Sequence, residues 1–125
     1  MVRTAGAMVL AAIVASPAAS EGQFDLICTA KSQKSPTRYV IDIAAGEWCW
    51  APCRGTHKLA DVTSTTITFT DTKAAYAGAL TSHQYVDRVT GEWTFFTSDR
   101  YGTDTIRGTC ELAPFSGFGA DRAKF

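Results

Sequence analysis

The sequence predicts an all-β fold, a small antiparallel β-barrel or sandwich of roughly seven to nine short strands, with two disulfides and with the first and last strands adjacent. Three observations predict it. After residue 20 apolar and polar side chains alternate, turn residues interrupt the alternation about every 8 to 12 positions, and no stretch there carries a convincing amphipathic-helix period.

Residues 1–20 stand apart. Arg3 precedes an apolar run of 11 residues, Ala5 to Ala15, which Ser16-Pro17-Ala18-Ala19-Ser20 closes with small side chains. Positive, apolar and small, in that order, is the pattern of a secretory signal peptide. The run is shorter than the roughly 20 residues a helix needs to cross a bilayer, and Pro17 would end such a helix. Cleavage is expected after Ser20, with Ala18 the alternative; no cysteine follows either site to carry a lipid. The expected product is one exported domain, 21–125, periplasmic or secreted, without a membrane span, ending in a tail from about residue 113.

Removing 1–20 takes Arg3 from the twelve basic side chains and leaves eleven against twelve acidic ones, a net charge of −1. A balanced chain without a basic run argues against nucleic acid and against anionic membrane as partners. The chain has no asparagine, so it has no N-glycosylation acceptor and its turns rest on Gly, Asp and Ser.

The first strand is expected over Phe24 to Ala30, with Phe24, Leu26, Cys28 and Ala30 on one face. Tyr39, Ile41 and Ile43 share a face of the second, and Trp48 and Trp50 continue past a turn at Gly46. That turn has a near copy: Tyr-Val-Ile-Asp42 leading to Gly46-Glu47-Trp48 is matched by Tyr-Val-Asp87 leading to Gly91-Glu92-Trp93. Each reads as a hairpin with its glycine in the left-handed region. Leu59 to Val62 and Thr65 to Thr70 are expected as strands, Ala74 to Leu80 as either a helical turn or an edge strand, and Asp104 to Leu112 as the last strand.

Four cysteines in a short exported chain read as two disulfides. Cys28 and Cys110 both fall on core-facing positions of the first and last strands, so they are expected to pair. Cys49 lies between two tryptophans and points away from both; Cys53 is its economical partner.

The sharpest local feature is the segment from Trp48 through Cys49, Cys53 and Arg54 to His57. A metal or redox reading would use Cys49, Cys53 and His57, but an oxidising compartment favours the disulfide, and both the haem and the thioredoxin signatures need two residues between the cysteines rather than three. No nucleophile elbow or paired-histidine helix occurs, and Asp87 with Glu92 flank a turn where charge is ordinary. The chain is therefore expected to be non-enzymatic and to need no cofactor or metal. Trp48, Trp50, Tyr85, Trp93 and Phe95 are candidates for a barrel mouth as well as for core. Phe96, out of phase with Trp93 and Phe95, is expected to face outward, covered by a partner or by the tail. The candidate binding surface is Trp50, Arg54, His57 and Phe96. Phe115 and Phe118 in the tail are expected to plug or brace the barrel end.

Phe24-x-Leu26-x-Cys28, Trp48-Cys49-x3-Cys53, Asp87-Arg88-x-Thr90-Gly91-Glu92-Trp93 and Gly108-Thr109-Cys110 with Pro114-Phe115-Ser116-Gly117-Phe118 resemble a family of short exported Gram-negative bacterial proteins with four cysteines and no assigned activity. The resemblance spans most of the mature chain and implies export and an all-β fold, with no functional residue to transfer. A looser, architectural similarity links the chain to periplasmic inhibitors of C-type lysozyme. Their Ser-Gly inhibitory loop has no counterpart here, since Ser116-Gly117 sits in the tail. These readings lead to a non-enzymatic periplasmic or secreted binding protein for an unidentified protein or small ligand, with an inhibitor of a cell-wall hydrolase as the alternative and a metal or redox protein as the third option.

Overall fold

The computed structural model describes residues 21–119. The expected signal peptide and the polar end after Gly119 lie outside the described residues. Among the described residues nine antiparallel strands form one sheet: β1 (Gln23–Ala30), β2 (Thr37–Asp42), β3 (Glu47–Trp50), β4 (His57–Lys58), β5 (Asp61–Val62), β6 (Thr66–Thr72), β7 (Thr81–Asp87), β8 (Glu92–Asp99) and β9 (Gly102–Ala113). Their order is β4-β3-β2-β1-β9-β8-β7-β6-β5.

The first and last strands pair along Asp25 to Ala30, which places Cys28 directly opposite Cys110. Both expected disulfides are present, Cys28–Cys110 and Cys49–Cys53. At Gly108 a Cβ would collide with the Thr29 backbone, so only glycine permits this approach of β9 to β1. With the chain ends paired, the opening of the curl falls mid-chain. There the segment 57–62 serves both edges: β4 pairs with β3 and β5 with β6, while Leu59 N–H donates to Gly46 O and Ala60 N–H to Thr68 O. The sheet is thus a curled half-barrel whose two edges are bridged by one short segment.

The concave face carries the core. Tyr39 stacks on Phe69 with ring centroids 4.8 Å apart, and Trp48 meets the same ring edge-on at 5.1 Å. Phe69 reaches this position because the β6–β7 register shifts between Thr68 and Thr70, an extra residue of the kind that re-aims a side chain. Gln84, fully buried, donates through Nε2 to the Tyr39 hydroxyl at 2.5 Å, so the strands on opposite walls are joined by a polar contact as well as by rings. Burial raises the Tyr39 phenol above its ordinary value of 10.0, against the opposing contacts with Trp50 and Gln84. The middle of the curl is therefore filled.

Both copied hairpins place their glycine at positive φ, 70° for Gly46 and 82° for Gly91. In each the preceding aspartate accepts from its own loop: Asp42 from the Ala45 N–H, Asp87 from the Val89 and Thr90 N–H groups. Three expectations change. Ala74 to Leu80 is neither helix nor strand but an irregular turn, with Gly78 at positive φ, tied to the β8–β9 hairpin through Arg100 N–H to Gly78 O. Tyr85 is not at a concave mouth with Trp93: Gln84 and Val86 take the inward positions, so the period of two turns Tyr85 to the convex face beside His83. The tail does not plug an end; it lies on the convex face, where Ser116 bonds to Asp25.

Candidate binding surface

The loop from Ala51 to Thr56 leaves β3 and returns as β4. Its start follows from strand phase. Trp48 and Trp50 face the concave side, so Cys49 between them faces the convex side, where it lies opposite Val40 and is fully buried. Cys53 closes onto Cys49, Ala51–Pro52 is cis, and the chain comes back with His57 opposite Trp48.

This return brings three rings together. The Trp48 and Trp50 centroids are 4.6 Å apart, edge to face, and the His57 imidazole is 4.8 Å from Trp48 and 5.2 Å from Trp50. Trp48 is buried, whereas Trp50 at the strand end keeps 43% of its surface exposed. Trp50, Pro52, Arg54 and His57 line an open depression of about 450 Å³. Among the described residues neither Arg54 nor His57 has a carboxylate partner; the ion pairs are Arg38–Asp25 and His83–Asp71. An indole with an exposed ring, a free guanidinium and an imidazole make a surface suited to anionic groups attached to a planar or apolar body.

Three of the four nominated residues, Trp50, Arg54 and His57, therefore share one site. Phe96 does not. It lies half-buried on the convex face of β8 opposite His83 and Thr105, in a separate patch where His83 Nδ1 lies 3.4 Å from an Asp71 oxygen. The described part of the tail, bonded to Asp25 and Arg38, is engaged away from it. The sulfurs of Cys49 and Cys53 are bonded to each other, and among the described residues no three His, Cys, Asp or Glu side chains are grouped to hold a metal ion.

A second cluster, not anticipated from the sequence, lies behind the loop. Asp25 is fully buried on the convex face and accepts from Arg38 Nε at 2.5 Å, from Ser116 Oγ at 2.6 Å and from Ser116 N–H at 3.1 Å. Arg38 also donates to Pro114 O at 3.3 Å. A buried carboxylate is tolerable only with such partners, and here they clamp the tail onto the sheet. Ser116, Gly117 and Gly119 then face Ala51, Pro52 and Cys53 across a narrow gap of about 200 Å³, so the tail backs the binding loop. The available signal was Asp25 as the one charged residue of its strand, two positions from the apolar Ile27 on the same face.

Comparison with family models, with curated proteins and with solved structures finds no match to this chain.

Proposed function

We propose that this chain is an exported, non-enzymatic binding protein that contacts another protein through the loop between β3 and β4. The observation that carries the reading is the exposed Trp50 ring beside Arg54 and His57, which have no carboxylate partner among the described residues. Tryptophan and arginine are enriched among residues that dominate protein interfaces, and a loop fixed at both ends loses little freedom on binding. The filled middle of the curl adds support, since the largest side chains there are already packed on one another. Two disulfides suit an oxidising compartment.

The Arg54 guanidinium, without a carboxylate partner among the described residues, also favours the second reading, an inhibitor of a cell-wall glycoside hydrolase. Such enzymes present a pair of carboxyl groups in a cleft, the complement of a protruding loop with Arg54 and His57.

A photo-crosslinking amino acid at position 55 tests the main reading. Gly55 is exposed and a Cβ there meets no atom within 4 Å, so the probe fits without disturbing the loop. Irradiation in the exporting cell should give one discrete protein adduct, lost on Trp50→Ala and on Arg54→Glu. An adduct from the same probe at Phe96 and none at position 55 would move the contact surface to the convex face of β8. Titration of a C-type lysozyme separates the two readings: stoichiometric loss of activity, relieved by Arg54→Glu, supports the inhibitor, and unchanged turnover removes it.

A further inference from the structure

The curl is filled in its middle but open at the end away from Trp50. There the inward side chains of β1, β6, β7 and β9 stop short of one another and leave a pocket of about 500 Å³. Phe24, Leu26, Ile67, Val86 and Leu112 form its walls. That volume lies within the range of small-molecule sites, and such sites are mostly apolar with a few fixed polar groups.

The rim is held rather than loose. Residues 87–91 arch over the pocket, and Arg88 N–H donates to Thr65 O at 2.8 Å while its Nη1 donates to Thr63 O at 2.6 Å. At the other end of the arch Cys110 N–H donates to Gly91 O at 2.8 Å, and Cys110 is bonded to Cys28. A Cβ at Gly91 would come within 2.9 Å of Cys110 O, so the close approach depends on glycine. A rim pinned to both walls keeps the pocket formed in the absence of a ligand, which lowers the cost of binding.

Two large apolar side chains flank the opening, Val89 and Leu112, each 75% exposed. Both line the pocket, and each would lose its contact with water to an apolar guest. Two charged groups also lie on the rim, and they differ in what they have left to give. The Asp87 carboxylate turns back onto the Val89 and Thr90 amides of its own loop. Among the described residues Arg88, which is exposed, is in no ion pair; it spends one N–H on Thr63 O and has the rest of its guanidinium available to a ligand.

We infer that this open end is a second ligand site, separate from the Trp50 loop, which takes an aliphatic carboxylate: chain inside the pocket, carboxylate on Arg88. Dodecanoate, used below its micellar concentration, is the probe, with dodecanol and a dodecyl ammonium salt as controls, followed by calorimetry on the mature protein. Saturable binding of dodecanoate at one site per chain is expected, about tenfold weaker for dodecanol and for Arg88→Gln, as one charge-assisted bidentate contact implies. Leu112→Glu and Val89→Glu, substitutions at positions already in water, should each weaken dodecanoate at least tenfold while leaving the thermal midpoint unchanged. Trp50→Ala should have no effect. No saturable binding overturns the inference, as does dodecanoate affinity unaltered by Leu112→Glu and Val89→Glu, or the ammonium salt binding as tightly as the carboxylate.

Discussion

The two disulfides do different work, and the contrast separates what holds the fold from what holds the site. Cys28–Cys110 spans 82 residues, lies on the concave face and joins the first strand to the last where they are already in register. Cys49–Cys53 spans 4 residues, lies on the convex side and closes one loop. In the chain-entropy model the first removes about 4.5 kcal/mol of unfolded-state freedom and the second about 2 kcal/mol. The long bridge therefore acts on the whole chain, whereas the short one acts where Trp50, Arg54 and His57 are presented.

The largest effect should come from breaking the long bridge. Cys28→Ala with Cys110→Ala should lower unfolding free energy by about 4.5 kcal/mol in denaturant titration, a large share of what a domain of this size has. Next comes Asp25→Ala, which removes the acceptor of three hydrogen bonds, one from a guanidinium, and frees the tail. About 3 kcal/mol should be lost, with faster proteolysis after Pro114. Cys49→Ala with Cys53→Ala should cost about 2 kcal/mol and abolish the crosslink from position 55.

Two pH effects are smaller and opposite in sign. The raised pKa of Tyr39 favours its neutral form, so the associated stability is complete below the unfolded value near 10 and is lost as pH rises toward the higher folded value. In an alkaline absorbance titration, the step missing from Tyr39→Phe should coincide with unfolding; ionisation inside an intact fold would contradict the buried placement. Asp87 runs the other way. The Thr90 and Val89 amides hold its carboxyl below the ordinary 3.8, so its contribution is present above that value and fades as pH falls through the lower folded one. Asp87→Ala should lower stability slightly at neutral pH and leave it almost unchanged below the folded value, so the acid limb of the stability curve flattens.

Much of this was legible in the chain because the period of two is a local rule. Phase alone put Cys28 and Cys110 on the core face, Cys49 opposite its flanking tryptophans, and glycines at both copied turns. What phase cannot supply is the cover on a face. Asp25 reads as a solvent position, yet the tail from Pro114 onward arrives from 91 residues away and buries it. Tyr85 departs from its expected place because an aromatic ring suggests core, while the inward positions beside it belong to Gln84 and Val86, of which Gln84 is buried through its bond to Tyr39. Three of the nominated site residues converge because they sit on one short loop; Phe96, nominated by strand phase alone, had no sequence link to them.

The division between the two bridges is tested most directly by hydrogen exchange on the Cys49→Ala, Cys53→Ala protein. Loss of protection should be confined to residues 49–58 and the tail that backs them, with β1 and β9 protected as in the parent. Loss that spreads across β1 and β9 would show that the short bridge supports the whole sheet, and the assignment of separate roles would fail.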